Sequence, residues 1–247
     1  MLKIESPQND TFKKLLSLIG SKGLKKEGLF LLSGEKLIRE FLKKPHLNIV
    51  YEILGPHAQP LQKDVAKHVQ LTADLFDEID VLGTHFNILV LEQPAIKNLT
   101  VEDLSSYTPQ GIEVVIPIGD PGNLGALIRS CEAFAVPRVI LTQEAAHPFL
   151  PKSVKASAGS VLRVPLSYGP ILAAFPSNCI ALDMDGVVID DFAWPKAGLL
   201  VVGEEGPGLS DGKSRFAKHI RIPTQGVESL NVVVAASIAL ADKARKG

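Results

Sequence analysis

Val114-Val-Ile-Pro-Ile-Gly-Asp-Pro-Gly-Asn-Leu-Gly-Ala-Leu-Ile-Arg129 passes from an apolar run through a glycine-bearing loop into a helical pattern. Val114–Ile118 is apolar at every position, which suits a strand covered on both faces. Gly119 to Asn123 reads as the loop that leaves it, and Asn123 is expected to cap the helix beginning at Leu124. Leu124, Leu127, Ile128, Cys131 and Phe134 recur at helical spacing and form a stripe for burial. Arg129 falls outside that stripe, free to reach toward loops or a partner chain.

The same grammar repeats downstream. Arg138–Leu141, Cys179–Asp183, Gly198–Val202 and His219–Ile222 are short, β-branched-rich runs, with Leu162–Val164 as a further short strand. Helical patterns at Leu124–Phe134, Ile171–Phe175 and Leu230–Ala241 alternate with them. The expected fold class is therefore α/β, a mostly parallel sheet with helices on both sides. Ligands bind such sheets beyond the carboxyl ends of the strands. Val202-Gly-Glu-Glu-Gly-Pro-Gly-Leu-Ser210 and Ile222-Pro-Thr-Gln-Gly-Val-Glu-Ser-Leu-Asn231 stand at such ends.

Working back toward the amino terminus, residues 10–20 and 35–43 read as helices. Gly28–Ser33, Asn48–Leu54 and Asn87–Leu91 read as strands, and Ala66–Val69 and Ala73–Ile79 as short helices. Residues 1–95 thus form a small α/β unit, 96–112 a linker, since 93–111 lack strong periodicity and include Pro94, Ser105, Ser106, Pro109 and Gly111, and 113–247 the second unit. The first fifty residues hold ten Lys/Arg against five Asp/Glu, although the whole chain carries only −1. Lys13, Lys14, Lys25, Lys26, Lys36 and Arg39 are candidate phosphate contacts on this basic module. A solvated helix surface is the competing reading.

Other function classes find little support. No apolar run reaches the length of a membrane span, and no signal peptide opens the chain, so a soluble, cytoplasmic protein is expected. The six histidines lack ligand spacing, which predicts no metal site. Cys131 and Cys179 stand alone in apolar surroundings and read as buried free thiols. Asp183-Met-Asp-Gly186 resembles the first motif of haloacid-dehalogenase-like phosphatases, a magnesium-dependent alternative built on Asp183. The later acidic motif of those enzymes is missing, and a strand followed by an Asp-Gly turn is the simpler reading.

Taken together, Asn-x-Gly-x-x-x-Arg at 123–129, Gly-x-Glu-x-x-Gly at 203–208 and Ile-Pro…Ser-Leu-Asn-Val at 222–232 resemble the three signature motifs of the SpoU/TrmH group. These are RNA ribose 2′-O-methyltransferases of the SPOUT class. Lys155-Ala-Ser-Ala-Gly159 resembles a segment between the first two motifs. Lys25 to Glu35 resembles the ribosomal-protein-like substrate-binding domain often attached to these enzymes. The resemblance implies a C-terminal trefoil knot, S-adenosylmethionine as cofactor, a homodimer, and structured RNA as substrate, ribosomal RNA ahead of transfer RNA. A non-catalytic RNA-binding relative is a further alternative.

The same resemblance implies that Thr142, Gly203, Gly208, Ile222 and Leu230 surround the cofactor. It gives Asn123, Arg129, Glu205, Ser229 and Asn231 to catalysis, with Arg129 central and cast by the family as general base. A guanidinium stays protonated in proteins, so clamping the RNA phosphate and the attacking oxygen is physically the easier role for Arg129. Helix capping is the plainer role for Ser229 and Asn231, and loop anchoring for Glu205. The chain departs from the family pattern at Thr224, where methionine is usual, at Val233, where serine is common, and at Ala135, where glycine is usual.

Overall fold

The computed structural model describes residues 1–61, 67–203 and 215–247. In chain order its elements begin with β1 (Leu2–Ile4), α1 (Asp10–Ser17), α2 (Ser21–Glu27), β2 (Leu29–Leu32), α3 (Glu35–Lys43), β3 (Ile49–Leu54), β4 (His68–Leu71), α4 (Ala73–Ile79) and β5 (Ile88–Glu92). They continue with β6 (Lys97–Asn98), α5 (Val101–Ser105), β7 (Ile112–Ile116), α6 (Pro121–Ala133), β8 (Val139–Leu141), α7 (Pro151–Ala156) and β9 (Leu166–Tyr168). The last are β10 (Ile180–Val188), β11 (Gly198–Val201), β12 (Lys218–Arg221) and α8 (Val232–Lys246). Two compact units result: residues 1–95 with 147–159, and residues 96–146 with 160–247.

The first unit is built on a mixed sheet of order β1-β4-β3-β5-β2, with β1, β4 and β3 parallel and β5 antiparallel to both β3 and β2. Phe12, Leu15, Leu24, Phe30, Ile38, Ile53 and Val90 are buried in its core. α1 starts because Asn9 accepts hydrogen bonds from the Thr11 and Phe12 amides, a side-chain N-cap. A Cβ on Gly23 would stand 2.0 Å from the Ser17 carbonyl oxygen, so only glycine lets α2 approach α1 this closely. Residues 147–159 complete this unit rather than the one they follow in sequence. Phe149 is fully buried and stacks on Phe30 with ring centroids 4.8 Å apart. The division falls after residue 95 but is interleaved, because apolar contact, not chain order, decides where 147–159 settles.

The second unit holds a seven-stranded sheet of order β12-β10-β11-β7-β8-β9-β6 in which every pair is parallel. The α/β class with a parallel sheet is as expected, and the central strands β7, β8 and β11 are buried on both faces as such sheets require. β7 is buried at all five positions. Leu99, Leu104, Val115, Ile140, Phe175, Cys179, Leu199 and Val201 pack into one cluster. Both cysteines are buried free thiols, and desolvation pushes each up to about 12. At the far end of α8, Asp242 is buried, accepts the Trp194 indole N–H at 2.9 Å and pairs with Lys246 at 3.1 Å.

Several expectations need correction. Residues 96–112 are not a structureless linker. Thr100 and Asp103 form a reciprocal capping box that starts α5, β6 pairs with β9, and Leu99 and Leu104 are buried. The Thr-x-x-Asp signal was present in sequence. Of the helix expected at Ala66–Val69, Ala66 lies outside the described residues, while His68 and Val69 open β4, whose alternating burial suits a strand. Ser160–Leu162 is a 3₁₀ turn and the strand expected at Leu162–Val164 comes later, as β9. Ile171–Phe175 contributes only the 3₁₀ turn Leu172–Ala174. Asp183-Met-Asp-Gly186 does not end a strand: β10 continues through it with a register shift between Leu182 and Val187 against β12.

Candidate functional site

The sheet order sets where a ligand can sit. From β7 the chain moves outward through β8 to β9, then crosses to β10, β11 and β12 on the other side. The order reverses between β7 and β11, and the crevice outside the carboxyl ends at such a switch point is the usual ligand site. The exits of β7, β8 and β11 lie there. Val202 continues the β7–β11 ladder by donating to the Val115 carbonyl at 3.2 Å, which brings half-buried Gly203 beside the end of β7. Thr142, just beyond β8, donates its amide to Ile116 at 3.2 Å, and Ala146 donates to Ile118 at 2.9 Å. The β7 and β8 exits are thereby tied together.

Thr142 carries an informative side chain. It is 3% exposed, and its Oγ1 has no hydrogen-bond partner among the described residues. A buried hydroxyl left unpaired costs roughly 1–3 kcal/mol. Such an orphan at the carboxyl edge of the sheet fits a polar ligand group that would complete it.

The β7 exit leads into α6, and its cap differs from expectation. Asp120, not Asn123, is the N-cap: its Oδ1 accepts the Asn123 amide at 2.8 Å, with Pro121 in the first helical turn. Asp followed by Pro is the signal that identifies it, since Pro favours the first turn and Asp the cap. Asn123 is therefore released from capping and its carboxamide has no hydrogen-bond partner among the described residues. Leu124, Leu127, Ile128 and Cys131 of α6 are fully buried as expected. Phe134 is the C-cap at 36% exposure, not a core residue. Arg129 is exposed, with no hydrogen bond or ion pair among the described residues. α6 packs along α8, and the Ser130 and Ser237 hydroxyls meet at 2.7 Å.

The loop leaving β12 carries Ile222, Ser229, Leu230 and Asn231. Ile222 and Leu230 are half-buried, and Ser229 and Asn231 are exposed. Asn231 caps α8 by accepting the Val233 amide at 2.9 Å. Thr224, whose hydroxyl donates to the Val227 carbonyl at 2.9 Å, closes the turn around Gly226, which has φ +88°. Glu205 and Gly208 lie outside the described residues.

Asp183 is engaged elsewhere. Its Oδ1 accepts the Met184 amide at 2.6 Å and its Oδ2 stands 3.4 Å from His219 Nδ1. Among the described residues no group of three or more His, Cys, Asp or Glu could hold a metal ion. No described helix is long and apolar enough to cross a membrane.

On the first unit, the candidate phosphate contacts divide. Lys14 and Lys26 pair with Glu27 at 3.1 and 3.5 Å, and Arg39 pairs with Glu35 at 2.8 Å while lying over Phe86. Lys13, Lys25 and Lys36 are exposed and have no ion pair among the described residues.

By class, then, the second unit is an open parallel α/β fold whose loops gather at a switch point. Residues 112–241 narrow the class: they match the SpoU rRNA Methylase family, and the chain belongs to that family. The ribosomal RNA small subunit methyltransferase G 2 of Syntrophobacter fumaroxidans is 38% identical over 99% of this chain, which spans about half, 49%, of that relative's length. The 23S rRNA (guanosine(2553)-2′-O)-methyltransferase RlmP of Bacillus subtilis is 29% identical, with 96% of this chain and 97% of the relative covered. An AdoMet-bound rRNA methyltransferase from Sinorhizobium meliloti shares the fold, with a TM-score of 0.78 at 23% identity over 98% of this chain and 97% of that one.

Proposed function

We propose that the chain transfers a methyl group from S-adenosylmethionine to a ribose 2′-hydroxyl of structured RNA, with ribosomal RNA as the substrate. The observation that carries this reading is Arg129: within the SpoU match, one exposed arginine on α6 has no ion pair among the described residues. The ribosomal RNA names of the relatives support the substrate class and favour it over transfer RNA.

The cofactor, when bound, would supply an electrophilic methyl on sulfonium: its S–C bond would break to leave a neutral thioether as the O–C bond forms, and the hydroxyl proton would pass to solvent. Gly203, Ile222, Leu230 and the loop around Gly208 would hold it through backbone groups, and the orphaned Thr142 hydroxyl would gain a partner. Arg129, cationic at neutral pH, would grip an RNA phosphate and donate to the attacking ribose oxygen. Asn123, freed by the Asp120 cap, and exposed Ser229 would orient that hydroxyl in line. Asn231 would set the loop by capping α8, and Glu205 would anchor the neighbouring loop.

The first unit would grip the RNA through Lys13, Lys25 and Lys36, with Lys14, Lys26 and Arg39 beside them. A homodimer and a C-terminal trefoil knot belong to the same proposal. For the dimer, Val234 and Ile238 lie one turn apart on α8 at 47% and 38% exposure, an apolar strip suited to a partner helix. The deciding experiment maps 2′-O-methyl positions in total RNA from cells with and without the gene. Loss of one ribosomal position on deletion is expected; identical maps would refute the assignment.

A further inference from the structure

We propose that a groove on the first unit, beside the amino-terminal ends of β1 and β4, holds one unstacked nucleotide of the RNA, its base on Tyr51 and its phosphate on Lys67. This rests on the reading that the chain acts on RNA, and it concerns residues outside the basic helices α1 to α3 apart from Thr11. The groove encloses about 490 Å³ and is lined by Leu2, Thr11, Tyr51, Lys67, His68 and Val69. That volume lies within the roughly 300–1,000 Å³ usual for small-ligand sites.

Its chemistry is that of a nucleotide site. Tyr51 is half-buried, and the Lys67 ammonium lies 5.7 Å from its ring centroid. The ammonium lies over the ring, a cation–π contact; RNA would draw Lys67 off to its phosphate and leave the ring to stack a base, the combination by which proteins hold single strands. Thr11 offers a hydroxyl that can donate or accept. Among the described residues that line the groove there is no carboxylate.

The wall behind the groove is fixed. Glu52 pairs in register with His68, one residue beyond Tyr51. It is fully buried; its Oε1 accepts from Asn87 Nδ2 at 2.6 Å and from the Leu61 amide at 2.8 Å, and its Oε2 stands 3.4 Å from His68 Nε2. A buried carboxylate with this many neighbours restrains β3, β4 and the approach to Asn87 at once. Tyr51 is then held ready before RNA arrives, which lowers the ordering cost of binding.

The test uses the full chain with two probes, fluorescein-labelled uridylate and adenylate ribohexamers and total ribosomal RNA. Tyr51→Leu is expected to weaken hexamer binding about tenfold, within the effect of losing one stacked base. Tyr51→Phe keeps the ring and is expected to stay within twofold. Lys67→Gln is expected to flatten the salt dependence of binding. Ultraviolet cross-linking of the wild type is expected to leave a nucleotide adduct on the peptide that holds Tyr51, a readout independent of how the variants fold. The proposal is overturned if no adduct forms there, or if folded Tyr51→Leu binds both probes like wild type while Lys25→Gln with Lys36→Gln binds poorly. Failure of the wild type to bind either probe would instead remove the functional reading, and this site with it.

Discussion

The Val136 amide donates to the Cys131 carbonyl at 2.9 Å, closing the last turn of α6 around Ala135. Such a closure needs a left-handed residue between, and glycine is the usual choice. Ala135 has φ +52°. An L-residue there suffers roughly 1–2 kcal/mol of steric cost. Ala135→Gly is therefore expected to stabilise the fold by about 0.5–1 kcal/mol after the entropy of the added glycine is subtracted. A rise in the urea midpoint with unchanged slope is the confirming result; a fall would mean the Ala135 methyl contributes packing that outweighs its strain.

Arg129 is exposed and makes no hydrogen bond or ion pair with the described residues. Arg129→Ala is expected to leave stability within about 0.5 kcal/mol, as for most surface changes, and to lower methyl transfer under single-turnover conditions by a factor of about 100 or more, the loss of a charge-assisted contact made at the reacting oxygen. Arg129→Lys should recover only part of it, since a point charge does not replace a planar fork. Full transfer by the alanine variant with normal RNA binding would remove Arg129 from the mechanism.

Thr142→Val separates ligand binding from folding. The valine is nearly the same shape and deletes a hydroxyl that has no partner among the described residues. The apo protein is expected to gain up to about 1 kcal/mol, while S-adenosylmethionine binding, followed by calorimetry, weakens roughly five- to tenfold for the loss of one hydrogen bond. Unchanged affinity would show that the hydroxyl faces no ligand group.

His147 makes the first unit sensitive to acid. It is buried, its Nδ1 accepts the Phe149 amide at 3.3 Å, and burial with nearby Lys25 lowers its pKa to about 4. The unfolded chain takes up a proton near pH 6.5 and the folded one only near pH 4. The contribution is thus fully present above about pH 6.5 and is lost as pH falls between the two values, by roughly 3 kcal/mol. His147→Gln should flatten the stability profile across that window. A wild-type urea midpoint that is flat from pH 6.5 to 4 would contradict the assignment.

Much of the second unit was legible in sequence because its central strands, β7, β8 and β11, are covered on both faces. Val114–Ile118, Gly198–Val202 and the stripe Leu124 to Cys131 carry their burial as composition and periodicity. The turns that leave β7 and β12 were legible for the same reason, since glycine and proline follow each apolar run; most of the segment after Val202 lies outside the described residues. Local pattern could not reveal partners distant in the chain. Phe149 gives no sign that Phe30 awaits it, and Glu52 reads as a surface residue until Asn87 and His68 are placed beside it. Short elements with few apolar positions, such as β1 and α2, fell below any periodic signal. At α6 the local signal is in the sequence: Asp120 directly before Pro121 marks the cap, three residues ahead of Asn123.

The seating of residues 147–159 on the first unit fixes an order of assembly. A ribosome releases the chain from its amino end, so β1 to β5 emerge long before Phe149 can cover Phe30. The first unit reaches its finished core only after β6, β7, α6 and β8 have also left the ribosome. A fragment ending at residue 95 would leave the Phe30 ring without that cover and would behave in isolation as an incompletely packed body, however well its own strands pair.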